Sequence, residues 1–137
     1  MKPFEAFKVG DRATFTKTIG EADILLFAAI SGDNYSVHVD EEYAKTTRFG
    51  GRIAHGMLTA SMLSATNGML LQQPGGISVA QTLRFLKPVY PGDTITARSE
   101  VVEILVEKRR LRCRTWCTNQ RGEIVIEGEA IEQKDVH

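Results

Sequence analysis

Apolar and polar residues alternate with a period of two in five segments of the chain: residues 12–19, 77–89, 94–107, 110–118 and 123–132. This period places successive side chains on opposite faces of a strand. Four of the segments follow one another in the second half of the chain, separated by turn-forming residues such as Pro-Gly-Asp at 91–93. The pattern therefore predicts an antiparallel sheet built mainly from the second half.

Helical spacing dominates between the first and second of these strands. Residues 21–30 (EADILLFAAI) fit a helix, and Gly32 is a natural C-terminal stop. A short helix is predicted at 40–44 with Asp40 as its N-cap. Residues 53–71 contain no Asp, Glu, Lys or Arg and predict a long helix, ended by the Gln-Gln-Pro-Gly-Gly sequence at 72–76. Polar residues interrupt this segment, so a helix surrounded by protein fits better than a membrane span.

Together these elements predict one α+β domain over residues 1–137, with an antiparallel sheet curled around one long central helix. The last hairpin provides a testable register. If residues 119–122 form its turn, three cross-strand pairs share one face: Arg112 with Glu129, Arg114 with Glu127, and Trp116 with Val125. Such a salt-bridged face explains the row of arginines better than a nucleic-acid-binding stripe does.

Charge and cysteine content narrow the classes of partner and compartment. Lys+Arg and Asp+Glu balance at 17 each, so net charge gives no reason to expect a nucleic acid or an anionic membrane as partner. Cys113 and Cys117 lie four residues apart on one strand, too far apart to pair comfortably, and are expected to be reduced structural thiols. The N-terminus lacks an apolar signal-like run, which together with the thiols predicts a cytoplasmic protein.

Candidate chemistry centres on two of the three histidines. Asp33 and His38 are five residues apart in a loop of small polar residues, where a carboxylate and an imidazole can converge on one water molecule. On spacing alone, an Asx-turn aspartate and a surface histidine are the favoured interpretation. His55 precedes Gly56 near the start of the long helix. The sequence has no serine-hydrolase elbow, Walker loop or zinc-site motif, and no metal or redox cofactor is implied.

Three stretches of the sequence, taken together, are more informative about function than the Asp33–His38 spacing alone. Gly32-Asp33-x-x-x-x-His38 is followed by Val39-Asp40, by Arg-Ile-Ala-His-Gly-Met-Leu at 52–58, and by Phe-Leu-Lys-Pro-Val-Tyr-Pro-Gly-Asp-Thr at 85–94. In this order they resemble the MaoC-like family of (R)-specific enoyl-CoA hydratases, over nearly the whole chain. The resemblance implies a hot-dog fold, in which a sheet wraps around one helix.

The same resemblance implies roles for individual residues. Asp33 and His38 fall on the catalytic positions, where they hold one water and add it across the double bond of a trans-2-enoyl-CoA to give the (R)-3-hydroxyacyl-CoA. Gly56 falls at the backbone N–H that polarises the thioester carbonyl, His55 braces the site, and Ser64 falls near a site-lining position. Coenzyme A enters only as part of the substrate, and a homodimer or higher homo-oligomer is expected.

One departure from the family pattern lies between the two catalytic positions. Tyr35 stands where the family usually has Asn, and Ser36 stands where it usually has Pro. If Tyr35 points inward, it lines the site and narrows or reshapes the acyl pocket.

Three alternatives stay open at this point. A hot-dog acyl thioesterase would aim a carboxylate or an activated water at the thioester carbon. An acyl-carrier-protein dehydratase would act on a carrier-bound acyl chain, and a non-catalytic module would only bind acyl-CoA.

Overall fold

The computed structural model describes residues 2–71 and 76–134 of the chain. Of the sequence at 72–76 that was predicted to end the long helix, residues 72–75 therefore lie outside the described residues. The regular elements are, in chain order, β1 (Arg12–Thr18), α1 (Glu21–Ser31), α2 (Ser36–Val39), α3 (Glu41–Lys45), α4 (Gly56–Leu71), β2 (Ile77–Gln81), β3 (Arg84–Phe85), β4 (Thr94–Leu105), β5 (Arg110–Thr118) and β6 (Ile124–Gln133). Helices α1 and α3 begin and end within one residue of the prediction, and the Asp40 carboxylate caps α3.

The strands form one antiparallel sheet in the order β1-β4-β5-β6-β2, and β3 also pairs with β6. The sheet curls around α4, which contacts β1, β4, β5 and β6. The main core fills the space between helix and sheet, with buried side chains that include Ile24, Leu63, Ile95, Val125 and Ile126. Burial of each such side chain stabilises the fold by roughly 1.5–3 kcal/mol. This is the hot-dog arrangement, and it confirms the predicted fold class.

A chain of buried side-chain hydrogen bonds ties α4 to the sheet. The hydroxyls of Thr66 and Ser99 are 2.7 Å apart, and Ser99 Oγ donates to Asn67 Oδ1, also at 2.7 Å. Asn67 Nδ2 donates to Gln81 Oε1 on β2 at 3.1 Å. Because Thr66, Asn67 and Ser99 are all buried, each needs its hydrogen-bond partner. These hydrogen bonds therefore fix how α4 is rotated against the sheet.

The two cysteines are buried free thiols on β5. Burial raises the pKa of Cys113 and of Cys117 to about 12 in each case. Both therefore stay protonated and unreactive at neutral pH, as expected of structural thiols.

Helix α4 begins three residues later than predicted. The backbone of residues 53–55 is used in bonds to other segments instead. Ile53 N–H donates to Val37 O at 3.2 Å, and Ala54 N–H donates to Val89 O at 2.7 Å. The helix start is therefore set by contacts between distant parts of the chain, which apolar spacing does not report.

The single strand predicted over 77–89 is wrong, because this segment forms two separate strands, Ile77–Gln81 and Arg84–Phe85, both paired with β6. Between these pieces the chain passes very close to β6. A Cβ on Gly128 would lie 1.9 Å from the Thr82 carbonyl oxygen, so only glycine permits this approach.

The predicted register of the last hairpin is wrong by two residues, although the predicted face is right for the charged side chains. Arg114 lies opposite Glu129, and Trp116 lies opposite Glu127. A shift of two residues leaves these side chains on their own face of the sheet. Val125, predicted to lie on the same face, is instead buried in the main core, beside the register shift. Arg112 still donates to Glu129, at 2.8 Å, and the salt-bridged surface is preserved.

The turn of this hairpin explains the shift. It takes five residues, since Thr118 pairs with Ile124, and a bulge between Cys117 and Thr118 adds one more. Asn119 Oδ1 organises the turn by accepting the N–H groups of Arg121 and Glu123 at 3.0 and 3.1 Å.

One side of α4 is exposed in the single chain, although the sequence predicted a helix surrounded by protein. The exposed stripe consists of Gly56, Met57, Ser61, Ser64, Gly68 and Met69. Met57 is 55% exposed and Met69 is 40% exposed. The sheet of one chain therefore covers only part of its central helix.

No helix in the described parts of the chain is long and apolar enough to span a membrane.

We predict that Asn67→Ala lowers the free energy of unfolding by about 1–3 kcal/mol, because Ser99 and Gln81 lose a partner inside the protein. Urea denaturation followed by circular dichroism measures the change. Ser61→Ala, on the exposed stripe of α4, is the matched control and should change the value by less than about 0.5 kcal/mol. Equal stabilities of the two variants would contradict the anchoring role of Asn67.

Candidate active site

Local hydrogen bonds shape the loop after α1 and place Asp33. Gly32 ends α1 with a φ of 78°, and its N–H donates to Ala28 O at 2.9 Å. Asp33 N–H donates to Ser31 Oγ at 3.1 Å, and Asp33 Oδ1 accepts the N–H of Tyr35, also at 3.1 Å. The Asx-type turn uses only Oδ1, so Oδ2 remains available for chemistry.

Two histidine–carbonyl hydrogen bonds cross between this loop and the residues before α4. His38, on the one-turn helix α2 that the sequence did not predict, donates from Nδ1 to Ile53 O at 2.8 Å. His55 donates from Nε2 to Asp33 O at 3.0 Å. Each ring nitrogen must be the donor, because a carbonyl oxygen only accepts. The loop and the helix start therefore hold each other in place.

The same bonds determine which ring nitrogen of each neutral histidine carries a lone pair. For His38 it is Nε2. For His55 it is Nδ1, which has no hydrogen-bond partner among the described residues. The two rings stack with centroids 4.0 Å apart and planes inclined by 27°, and Phe27 packs on His55 at a centroid distance of 4.8 Å. A charged His55 at this separation would repel a charged His38, so the stack disfavours the charged form of His38.

Burial keeps His38 neutral. Only 8% of the residue is exposed, and desolvation lowers the pKa of its imidazole below the ordinary 6.5. The Ile53 carbonyl and the Asp33 carboxylate act in the opposite direction, while His55 lowers the pKa further. Desolvation is the largest effect, so at neutral pH Nε2 of His38 is a proton acceptor.

Both rings line a cavity of about 420 Å³ at the N-terminal end of α4. Asp33 and Gly56 line the same cavity, so four of the predicted site residues meet there. A carboxylate oxygen of Asp33 and one ring nitrogen of each histidine lie within 4.8 Å of one another. This separation suits one small molecule held among the three side chains.

The family follows from a comparison with known domains. The model of the MaoC-like domain matches residues 6–125 of this chain. The chain belongs to the MaoC-like family. An (R)-specific enoyl-CoA hydratase of Rhodospirillum rubrum is 50% identical over 127 residues, covering 93% of this chain and 88% of the relative. A mitochondrial 3-hydroxyacyl-[acyl-carrier-protein] dehydratase of Arabidopsis thaliana is 34% identical over 126 residues, covering 90% and 75%.

Solved MaoC-like and R-hydratase structures share the whole fold. The unliganded R-hydratase of Pseudomonas aeruginosa superposes with a TM-score of 0.89 at 44% identity, covering 98% of this chain and 86% of that one. The (R)-hydratase of Aeromonas caviae gives a TM-score of 0.90 at 36% identity, covering 96% and 99%.

Gly56 of this MaoC-like chain lies under an aromatic ring. A Cβ at this position would lie 2.7 Å from Cδ1 of Phe85, which also lines the cavity. A side chain on residue 56 would therefore displace the Phe85 ring from the helix start. Gly56 is the first residue of α4, and N–H groups in the first turn of a helix have no intrahelical partner. Its N–H can therefore donate to a ligand oxygen in the cavity.

Tyr35 and Ser64 do not line the cavity of the single chain. Tyr35, at the position of the usual MaoC-like Asn, is 59% exposed and meets His38 edge-on at a centroid distance of 5.9 Å. It packs beside the catalytic candidate instead of narrowing the pocket. Ser64 lies on the exposed stripe of α4.

Three polar residues of the cavity wall were not predicted: Arg48, Thr59 and Lys87. Thr59 is fully buried, and its hydroxyl has no partner among the described residues. Its position four residues after His55, on the same helix face, was the available signal. Arg48 and Lys87 are both exposed at the open rim. Lys87 is already paired with Glu123, so Arg48 is the residue whose positive charge suits an anionic part of a ligand.

Two contacts outside the cavity hold its walls. Arg52 donates two bonds of 2.7 Å to Glu21 at the start of α1 and one of 2.9 Å to Glu41 on α3. The Tyr90 hydroxyl donates to Phe49 O at 3.0 Å. The motif stretches at 52–58 and 85–94 thus contribute support as well as site residues.

We predict that the His38 imidazole becomes protonated only below pH 6.5 and that its neutral form carries the proton on Nδ1, because burial lowers its pKa and Ile53 O accepts that proton. A pH titration of ¹⁵N-histidine-labelled protein by NMR measures both, with His38→Gln identifying the signals. A midpoint at or above 6.5, or a proton on Nε2, would contradict the assignment.

Proposed function

We propose that this MaoC-like protein hydrates trans-2-enoyl-CoA to (R)-3-hydroxyacyl-CoA and catalyses the reverse dehydration. The observation that carries the proposal is the meeting of the Asp33 carboxylate and a neutral His38 in one cavity, at the start of a helix. Relatives named (R)-specific enoyl-CoA hydratase and 3-hydroxybutyryl-CoA dehydratase, 50% and 41% identical, support the same reaction.

In the proposed mechanism one water lies between Asp33 and His38. The Asp33 carboxylate accepts one O–H of this water and orients it, and His38 Nε2 takes the other proton. The water oxygen bonds to the β-carbon, and the proton then passes to the α-carbon on the same face. The sum is the addition of H and OH, and the enzyme ends in its starting protonation state. While His38 is transiently charged, the nearby Asp33 carboxylate stabilises it.

The start of α4 stabilises the negative charge that develops on the thioester oxygen. Gly56 N–H has no intrahelical partner to compete for it, and the helix dipole favours negative charge at this end. A hydrogen bond aimed at this oxygen strengthens as the charge develops, which lowers the barrier more than it stabilises the bound substrate. His55 supports this arrangement by holding the Asp33 carbonyl and stacking on His38.

Two carriers of the acyl chain are candidates, coenzyme A and acyl-carrier protein. Coenzyme A is the carrier named for the nearer relatives, whereas the Arabidopsis thaliana relative is named for acyl-carrier-protein substrates. Arg48 at the cavity rim suits the phosphate groups of either carrier.

We predict that Asp33→Asn and His38→Gln each lower kcat/KM for crotonyl-CoA by about 10²–10⁴-fold, because each removes a proton-handling group. Loss of the enoyl-thioester absorbance, recorded beside a free-thiol assay, measures hydration. Glu42→Gln is the matched control, since this carboxylate is 87% exposed and lies outside the cavity.

Other outcomes identify the alternatives. Thiol release by the unmodified protein would indicate a thioesterase. Activity on a carrier-bound enoyl chain alone would indicate the carrier-protein substrate. Binding of acyl-CoA without turnover of either would indicate a non-catalytic module.

We also propose that two chains form a homodimer through β2. This strand pairs with β6 on one side only, and Ile77 and Val79 are 59% and 45% exposed along it. An apolar edge strand favours pairing with another strand, and a second chain would also cover the exposed stripe of α4.

We predict that Val79→Lys shifts the mass in solution from about twice 15.2 kDa to 15.2 kDa, because a charge on the edge strand opposes pairing. Size-exclusion chromatography with light scattering measures the mass. Val106→Lys, at an apolar position that is 69% exposed on the turn after β4, is the control. A dimer that survives Val79→Lys would contradict pairing through β2.

A further inference from the structure

Three charged side chains are found among the described residues that line the cavity at the start of α4: Asp33, Arg48 and Lys87. Lys87 is paired with Glu123, so its charge is already balanced. Arg48 is exposed and forms no salt bridge with any described residue. Within the described part of the chain, the opening of the cavity therefore has one positive charge that no carboxylate balances.

Arg48 lies on a turn whose backbone is held from two directions. On the side of α3, Thr47 Oγ1 donates to Ala44 O at 2.6 Å. On the other side, the Tyr90 hydroxyl donates to Phe49 O at 3.0 Å. These bonds hold the residues directly before and after Arg48, so its side chain is presented at the opening of the cavity by a fixed backbone.

The guanidinium of Arg48 rests on an aromatic ring. Its Cζ lies 4.9 Å from the centroid of the Phe49 ring, a cation–π contact that uses none of the N–H donors. None of these donors is bonded to a described residue. A guanidinium presents its N–H groups in a planar fork that matches two oxygens of one phosphate. Arg48 therefore keeps its full hydrogen-bonding capacity for an anion.

The size of the cavity determines which part of a substrate can meet Arg48. A volume of about 420 Å³ accommodates an acyl thioester and the nearest part of the arm that bears it, but not a whole coenzyme A molecule. With the thioester beside Asp33 and His38, the arm must leave through the opening, where Arg48 lies. In coenzyme A and in the phosphopantetheine group of an acyl-carrier protein, this arm ends in a phosphate.

We propose that Arg48 binds a phosphate group of the acyl carrier and thereby selects carrier-borne thioesters over small thioesters. The identification of the ligand as an acyl thioester rests on the proposed function. The contact is made by a part of the substrate that does not react, so it is equally strong before and during hydration. Arg48 is therefore a specificity-determining residue that acts on binding and leaves the chemical step unchanged.

The binding test uses butyryl-CoA, a saturated thioester that cannot be hydrated, and butyryl-pantetheine, which lacks every phosphate. In isothermal titration, Arg48→Gln should weaken butyryl-CoA binding about tenfold, because a charge-assisted hydrogen bond is lost. Binding of butyryl-pantetheine should change less than about twofold. Arg48→Lys keeps the charge and should recover part of the affinity. Added salt should weaken butyryl-CoA binding more in the unmodified protein than in Arg48→Gln.

Lys45→Gln is the matched control, since it removes a positive charge from α3, outside the cavity, and should leave both affinities unchanged. Butyryl-phosphopantetheine then identifies the phosphate. If Arg48→Gln weakens its binding as much as that of butyryl-CoA, the contact is to the phosphate that both carriers share. If only butyryl-CoA is affected, the contact is to a phosphate of its nucleotide.

Two results would overturn the proposal. An equal loss of affinity for butyryl-CoA and butyryl-pantetheine would mean that Arg48 supports the shape of the cavity and not a phosphate. Unchanged butyryl-CoA binding in Arg48→Gln would mean that the contact is not made. Because butyryl-CoA is not turned over, both results can be told apart from a failure of the proposed hydratase function.

The kinetics of hydration provide a second readout. For crotonyl-CoA, Arg48→Gln should raise KM about tenfold and change kcat less than about twofold, the pattern of an interaction that is equally strong in the ground state and the transition state. For crotonyl-pantetheine, kcat/KM should be the same in both proteins. A lower kcat with an unchanged KM would contradict a role confined to binding.

Discussion

Two crossed hydrogen bonds hold the functional part of this molecule together. His38 donates to the carbonyl of Ile53, and His55 donates to the carbonyl of Asp33, so each segment carries both a histidine and the acceptor for the other histidine. The pair fixes the separation of the two segments and the tautomers of both rings. The proposed mechanism, in which Asp33 and His38 share one water, depends on these bonds because they hold both backbones in place.

The wrapped helix supplies the other half of the site. Its polar bonds to the sheet through Asn67 and Ser99 set its rotation, and that rotation decides which face meets the cavity. Its first turn then presents Gly56 beside Asp33 and His38, under the ring of Phe85. A fold that wraps a sheet around one long apolar helix thus also places an electropositive helix end where the proposed mechanism requires stabilisation of the thioester oxygen.

Local periodicity predicted the elements that local signals determine, such as α1 with its stop at Gly32. It failed where contacts between distant segments determine where a helix or strand begins and ends. The backbone bonds of Ile53 delay the start of α4, and the close approach at Gly128 breaks a predicted strand. In the site, the motif residues were found through their order along the chain. Thr59 belongs to no motif, and the outward packing of Tyr35 depends on neighbours that spacing does not reveal.

The stereochemistry of addition in D₂O tests the central claim most directly. Crotonyl-CoA would be converted by the protein in D₂O, and NMR together with a chirality-specific dehydrogenase would analyse the product. The proposed mechanism predicts the (R)-alcohol at the β-carbon and one deuterium at the α-carbon, on the same face as the new hydroxyl. An (S)-product, or deuterium on the opposite face, would contradict the addition of one water between Asp33 and His38.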